Sequence, residues 1–289
     1  MPENIGLPHN QGVKHEERPT EAATEDETRA ALLERSNRPF APIGKVFVQA
    51  PPGRDSRHGP LSEFVRKGDL RGLRAQLLLY GIISSDAHDG WSTTLPIQVW
   101  ARAFDTTATA TAASASNAAS KILTRLEDRQ LITRARKGRE RNVRVTLLRE
   151  DGSGKAYQRP GLNNEDRFFR LPHIFWTEGW YKDLDLPATA MLLVALHEKP
   201  GFQLPAEKVP FWYGWSADTA ERGFKRLQEL HVLSITERVK KAPLSPTGLT
   251  TVNEYNLAGP FGQDQINALV NKYSRSRTRT PMNQEDPKK

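Results

Sequence analysis

Basic side chains are crowded into one short stretch of this sequence. Over the fourteen residues that begin at Leu131, six cations face a single acid, Glu140. These cations are Arg134, Arg136, Lys137, Arg139, Arg141 and Arg144. A strand edge that is protected against aggregation needs only one or two lysines, whereas dense arginine binds phosphate oxygens and fits the minor groove of DNA. The stretch is therefore a candidate contact for a nucleic-acid backbone.

Short polar residues lie directly upstream of the basic stretch. No acidic residue occurs between Ser114 and Leu126, and the apolar spacing there predicts an amphipathic helix. Its exposed face would carry Asn117, Ser120, Lys121, Thr124 and Arg125. Side chains of these types can hydrogen-bond to base edges when a helix enters the major groove. We therefore predict that this helix reads bases while the basic stretch neutralises phosphates.

No residue pattern indicates catalysis. The seven histidines have no partner two or four residues away, so no metal-binding pair is visible. The segment GSGKA at residues 152–156 is similar to a phosphate loop, but Arg149 stands where the first glycine is needed and Ala156 replaces the magnesium-binding hydroxyl. Cysteine is absent, which excludes disulfides and thiolate chemistry. The sequence predicts a protein that is not an enzyme and needs no cofactor or metal.

The net charge is unevenly distributed along the chain. There are 42 basic and 34 acidic residues, which gives +8. Residues 60–159 hold 17 basic and 10 acidic groups, a net of +7, whereas residues 1–59 and 160–260 each sum to −1 and residues 261–289 to +3. One central block and the C-terminal end thus carry the positive field. Such concentration favours an anionic partner.

Two parts of the sequence share one plan of predicted elements. Residues 118–132 and 219–233 align at an offset of 101, and both have the apolar spacing of an amphipathic helix. Each is followed by two β-type runs that predict a ribbon. Upstream of each lie a short Leu-Pro segment and a longer apolar helix, at residues 69–83 and 185–198. Both copies are therefore predicted to contain helix, short helix, helix and ribbon in that order.

This order resembles the winged helix-turn-helix. Residues 120–132, SKILTRLEDRQLI, are similar to the recognition helix and first wing strand of bacterial multiple-antibiotic-resistance-type regulators, although that pattern usually has glycine where Gln130 and His231 stand. Paired winged helices in one chain also resemble the replication initiators of iteron-containing plasmids and paired-domain proteins of actinobacterial mobile elements. The resemblance covers about residues 61–149 and 167–258. It implies an α+β, mainly helical fold with two winged helix-turn-helix domains in tandem.

Five segments are predicted along the chain. A disordered acidic tail (residues 1–38) is followed by a Pro/Gly linker or arm (39–60), a basic winged-helix domain (61–159), a second winged-helix domain (160–260) and a mobile basic tail (261–289). Neither a hydrophobic signal core nor an apolar run of membrane-spanning length is present. We therefore predict a soluble cytoplasmic protein, associated with the nucleoid or a plasmid.

The second copy gives a weaker indication of DNA binding. Its third helix carries three cations that are also candidate DNA contacts, Arg222, Lys225 and Arg226. The acids of the same helix are Asp218, Glu221 and Glu229, which would repel phosphate. The leading interpretation is a double-stranded DNA-binding transcriptional regulator, which could act as a homodimer. A plasmid or phage replication initiator and a protein-interaction module with incidental DNA contact are the alternatives, and the replication or transcription machinery is the corresponding further partner.

Overall fold

The structure is a computed structural model that mixes helices with small β-sheets. It describes residues 21–36, 38–53, 56–84, 86–87, 90–137, 142–161 and 167–278. The predicted combination of helices and short ribbons is confirmed. The predictions for the first twenty residues, for the ribbon tip at 138–141 and for residues beyond 278 lie outside the described residues.

The N-terminal part of the chain is docked on the core. Helix α1 spans Glu25–Glu34 and begins at a capping box in which Thr24 and Glu27 exchange hydrogen bonds. Strand β1 spans Phe40–Gly44, a 3-10 turn follows at Lys45–Phe47, and α2 spans Leu61–Arg66. The structure therefore has a helix inside the segment predicted as a disordered tail (residues 1–38), and a strand, a 3-10 turn and extended chain in the predicted linker or arm (39–60).

Burial of a few side chains explains why composition was misleading there. On α1, Arg29, Leu32 and Leu33 are buried, and on β1 so are Ala41 and Ile43. These residues are too few and too dispersed to make an apolar pattern in the sequence, but Leu32, Leu33, Ala41 and Ile43 belong to the hydrophobic core. The apolar area that these residues bury offsets the entropy cost of ordering the segment. The composition alone did not indicate this burial.

The first unit comprises residues 69–147 and contains the predicted helices and ribbon in order, with two further strands before the short helix. Its elements are α3 (Leu70–Ile82), β2 (Asp86–Ala87), β3 (Gly90–Pro96), α4 (Ile97–Ala103), α5 (Ala112–Asp128), β4 (Ile132–Lys137) and β5 (Asn142–Leu147). The strands form one antiparallel sheet in the order β2-β3-β5-β4. The indole of Trp100 on α4 is buried and donates to the Val143 carbonyl at 3.0 Å, which fixes the short helix to the sheet.

The second unit comprises residues 185–257 and repeats the order. Strand β6 (Phe168–Pro172), α6 (Ile174–Thr177) and α7 (Trp180–Asp183) precede it. Its elements are α8 (Leu186–His197), α9 (Val209–Tyr213), α10 (Ala217–Glu229), β7 (Leu233–Lys241) and β8 (Leu249–Leu257). Where β3 pairs with β5 in the first unit, the second has a single bridge between Phe202 and Tyr255. The two units thus share a plan of connections.

Close helix packing and aromatic stacking form the core of the second unit. A Cβ on Gly223 would come within 2.5 Å of the Pro187 carbonyl oxygen, so glycine is what lets α10 approach α8. The ring of Phe224 stacks on Tyr255 with centroids 4.3 Å apart. Phe175 and Tyr213 are also buried, so large aromatic side chains supply much of the packing here.

Parts of the predicted linker and tail pack against the rest of the chain. Strand β1 pairs antiparallel with β6, and Phe40 lies opposite Pro172. The final helix α11 spans Gln263–Thr278, with Phe261 and Ile266 buried at its start. The prediction of a mobile tail from residue 261 is therefore wrong as far as 278.

Among the helices that the structure describes, none has the length and apolar character needed to cross a bilayer.

The third helix of each unit ends in the same left-handed turn. Gln130 and His231 have φ of 55° and 56°. After α5, the Leu131 N–H donates to the Leu126 carbonyl at 3.1 Å, and the corresponding bond after α10 joins Val232 to Leu227 at 2.8 Å. This is the Schellman geometry, in which glycine is the usual residue. The two non-glycine residues therefore adopt a backbone conformation that is strained for a side chain with a Cβ.

Replacing Gln130 with glycine is expected to raise the free energy of unfolding by about 0.5–1 kcal/mol, because the left-handed penalty disappears while the greater freedom of the unfolded glycine offsets part of the gain. Urea denaturation of the full chain measures the change. Gln130→Ala is the matched control, since it removes the same side chain but keeps the Cβ. Equal stability of the glycine and alanine variants would contradict the interpretation.

Candidate nucleic-acid interface

Helix α5 leaves its N-terminal half outside the core. Thr111 caps the helix and accepts a hydrogen bond from the Ser114 N–H at 3.3 Å. Ser114, Asn117 and Lys121 are exposed, while the opposite stripe is buried and contains Ala115, Ala119, Ile122, Leu123 and Leu126. The helix therefore presents a polar face that begins at an accessible N-terminus.

Two further predicted contacts on α5 are less accessible. Ser120 and Thr124 are half-buried. The Thr124 hydroxyl donates to the Ser120 carbonyl at 2.9 Å, a bond within the helix. The structure thus brings Asn117, Ser120, Lys121 and Thr124 to one face, with Asn117 and Lys121 the most open to solvent.

Arg125 is turned away from this face and toward α3. Its Nε and one terminal nitrogen donate to the two carboxylate oxygens of Asp69 at 2.9 Å each. Arg129, whose side chain is only 3% exposed, also pairs with Asp69 at 2.9 Å. Burial of Asp69 acts to raise its pKa, but the hydrogen bonds from Arg125 and from the Gly72 N–H outweigh it and lower the pKa. The ion pair between Arg125 and Asp69 therefore holds α5 against the start of α3.

Arg226, the residue that aligns with Arg125, has a similar position in the second unit. Its guanidinium donates to the Asp183 carbonyl at 3.1 and 3.2 Å, just before α8 begins, and pairs with Glu229 at 3.4 Å. The repeated arginine thus joins the third helix to the chain before the first helix in both units. Its recurrence in the sequence reflects packing, which the DNA-contact prediction for Arg125 and Arg226 did not consider.

The ribbon β4–β5 places two arginines beside α5. Arg134 donates from Nε to Glu127 at 2.8 Å and from a terminal nitrogen to the Ser120 carbonyl at 3.0 Å. Arg136 is exposed, and no described residue forms an ion pair with it. On β5, Val145 lies opposite Arg134 and Val143 lies opposite Arg136. Both arginines therefore lie on the sheet face that meets α5.

The other basic residues of the ribbon do not all lie on this face. Arg144 lies opposite Ala135, on the other side of the sheet, and donates to the Ser92 hydroxyl at 3.0 and 3.2 Å. The side chains of Lys137, Arg139 and Arg141 lie outside the described part of the chain. Arg144, a predicted phosphate contact, therefore lies on the sheet face away from α5, because alternate strand residues point to opposite faces.

Helix α10 has a different charge pattern on the corresponding face. At the offset of 101, Asp218 and Glu221 replace Asn117 and Ser120. Arg222 pairs with Asp218 at 3.8 Å, and Lys225 is exposed. This face therefore combines both signs of charge and is unfavourable for phosphate.

Two other sequence features are placed by the structure. Residues 152–156, which are similar to a phosphate loop, form a turn closed by an antiparallel bridge between Leu148 and Ala156, with no helix after it. Among the described residues, no group of three histidine, aspartate or glutamate side chains is arranged to hold a metal ion.

Comparison with known proteins finds no matching family model, curated protein or solved structure for this chain.

Proposed function

We propose that this protein binds double-stranded DNA as a non-enzymatic regulator of transcription, through a winged helix formed by its first unit. In this proposal α5 enters the major groove and the ribbon β4–β5 follows the adjacent phosphates. Asn117 and Ser120 read base edges, and Lys121 and Arg136 neutralise phosphates. The second unit is a winged helix of the same plan.

The observation that carries the proposal is the accessible polar face of α5 next to Arg136, which has no ion-pair partner among the described residues. The helix has no acid before Glu127, and the exposed polar side chains of this stretch are a hydroxyl, an amide and an amine, from Ser114, Asn117 and Lys121. Arg136 lies on the sheet face that meets this helix. A solvated helix face has no need to exclude acids, whereas a face that approaches phosphates does.

Arg125 and Arg134 were both predicted from the sequence to contact DNA, but in the structure each is paired with an acid of the same unit. Both guanidinium groups are held by acids, Asp69 and Glu127 respectively. They therefore set the position of α5 relative to α3 and β4, and the proposed interface does not include Arg125. Rigid placement of the contacting side chains is what a base-reading helix requires.

The proposal is tested by replacing two cations that have no ion-pair partner among the described residues. In the double variant Lys121→Gln with Arg136→Gln, the affinity for duplex DNA should fall by about tenfold or more. The slope of log K against log salt should become shallower by about 1.8, since each phosphate contact contributes about 0.9. Fluorescence anisotropy with a random-sequence duplex at several salt concentrations measures both.

Arg222→Gln is the matched control because Arg222 aligns with Lys121 in the second unit and is exposed. It should change affinity and slope much less. An unchanged slope in the double variant would refute the interface. Selection of bound duplexes from random DNA then separates two roles: one inverted repeat fits a dimeric regulator, and short tandem direct repeats fit a replication initiator.

A further inference from the structure

A cleft on the molecule lies apart from the proposed DNA interface. It has a volume of about 990 Å³ and is bordered by the segment after β1, the chain between the two units and the loop after α8. Five cations line it, Lys45, Arg57, Arg149, Arg167 and Lys199, against the two acids Glu150 and Glu198. The described walls therefore carry a formal excess of three positive charges.

The two acids in the cleft are already bound by other groups. Glu150 is buried and accepts a hydrogen bond from the Gly44 N–H at 3.0 Å. Glu198 accepts from the Tyr213 hydroxyl at 3.0 Å and contacts His197 Nδ1 at the same distance. Arg149 in turn pairs with Asp151 at 3.2 Å. Lys45, Arg167 and Lys199 are therefore the described cations that an anion in the cleft would meet.

Lys45 lies on the cleft wall near the charges of Arg167 and Lys199. Lys45 is half-buried and donates from Nζ to the His197 carbonyl. Burial lowers the pKa of Lys45, and the nearby charges of Arg167 and Lys199 lower it further, while Glu198 acts in the opposite direction. Arg167 and Lys199 are exposed and have no ion-pair partner among the described residues. An anion between these side chains would relieve the repulsion.

Aromatic groups provide a second kind of contact in the same cleft. Trp212 and Phe202 are part of the lining. The Arg57 guanidinium lies 5.9 Å from the centre of the Trp212 ring and donates to the side-chain oxygen Oε1 of Gln49 at 2.8 Å. Its Nε is buried and has no hydrogen-bond partner among the described residues. The cleft adjoins a smaller cavity of about 270 Å³, which shares Lys45, Lys199 and Phe202 with it. Charged and aromatic surfaces therefore meet in one concave site.

We propose that this cleft binds a nucleotide, a small ligand that joins phosphate groups to a planar aromatic base. Lys45, Arg167 and Lys199 hold the phosphates, and Trp212 or Phe202 stacks with the base. The volume suits a ligand of that size, since such pockets commonly occupy about 300–1,000 Å³. The inference goes beyond the proposed DNA binding and does not depend on it, because no residue is common to the two sites.

Isothermal titration calorimetry of the full chain with ATP, with adenosine and with inorganic tripolyphosphate tests the site. We expect ATP and tripolyphosphate to bind. The double variant Arg167→Gln with Lys199→Gln should weaken both by about tenfold or more, since charged hydrogen bonds to phosphate are strong. Trp212→Leu should weaken ATP more than tripolyphosphate, which identifies stacking of the base.

Lys208→Gln is the matched control, since Lys208 is exposed on a neighbouring 3-10 turn and is not part of the described cleft wall. It should leave ATP binding unchanged. No ATP binding to the native chain, or equal affinity in the double variant, would overturn the proposal. Loss of duplex DNA affinity in the double variant, without nucleotide binding to the native chain, would instead assign the cleft to DNA. Duplex affinity that is unchanged in the double variant, with ATP affinity lost, supports a separate nucleotide site.

Discussion

Replacing Arg29 with methionine is expected to lower the free energy of unfolding by about 3–5 kcal/mol, the usual cost when a buried charged network loses one member. The side chain of Arg29 is 4% exposed. It pairs with Asp26 at 2.5 Å, donates to the Tyr181 hydroxyl and donates to the Ala103 carbonyl at 3.3 Å. Chemical denaturation of the full chain, followed by circular dichroism, measures the loss.

The large effect follows from the position of this guanidinium between three parts of the fold. Arg29 belongs to α1, Ala103 ends α4 of the first unit, and Tyr181 lies on α7 just before the second unit. The Tyr181 hydroxyl in turn donates to Asp26 at 2.8 Å, and its ring lies 4.6 Å below the guanidinium carbon. Methionine could fill the volume but would leave the Ala103 carbonyl and Asp26 without this donor.

Arg35→Met provides the matched control for Arg29. It removes the same charge and a side chain of the same length from the end of the same helix, but Arg35 is exposed. Its effect should remain within about 0.5 kcal/mol, as for most surface substitutions. A loss below about 1 kcal/mol in Arg29→Met would show that α1 is not an integral part of the core.

Elements with strong local patterns could be predicted from the sequence. The apolar spacing of α5 and α10 and the alternation of Val143, Val145 and Leu147 on β5 depend on neighbours a few residues away. The repeated order of helix, short helix, helix and ribbon follows from such local signals. Even the atypical helix ends at Gln130 and His231 could be located, because both align at the same offset.

Elements that depend on distant partners could not be predicted in the same way. Strand β1 is short and pairs with β6, more than 120 residues along the chain. Helix α11 has a weak apolar stripe, and Tyr273 meets Phe40 with ring centroids 5.9 Å apart. Composition classed both segments as linker or tail because the partner that buries each of them is remote in sequence.

In the candidate site too, features that depend on sequence neighbours could be predicted, and features that depend on distant partners could not. From the sequence alone, an arginine on the polar side of an amphipathic helix is predicted to contact DNA. The structure shows that Arg125 instead pairs with Asp69, 56 residues upstream. The sequence offered a partial signal, since an aspartate precedes the first helix and an arginine aligns in the third helix of both copies, although Arg226 contacts the Asp183 carbonyl and does not pair with Asp185. The cleft with Lys45 and Lys199 gave no such signal, because its walls come from three separated segments.

Replacing Asp69 with asparagine is expected to cost about 3 kcal/mol of unfolding free energy and also to weaken DNA binding, although Asp69 is not in the proposed interface. Asparagine can still cap α3 by accepting the bond from the Gly72 N–H, which is 3.0 Å in the native chain. It cannot neutralise Arg125 and the buried Arg129, which both pair with Asp69. Denaturation and fluorescence anisotropy with duplex DNA measure the two effects.

Asp185→Asn separates the loss of charge from the loss of a cap. Asp185 begins α8 and accepts from the Ala188 N–H at 2.8 Å, but no arginine pairs with it among the described residues. This variant should cost less than about 1 kcal/mol, the order of a change that keeps the capping bond. Equal costs at Asp69 and Asp185 would show that the Arg125 and Arg129 pairs add nothing to stability. Duplex affinity that survives in folded Asp69→Asn would show that the tie between α5 and α3 does not position the DNA-reading face.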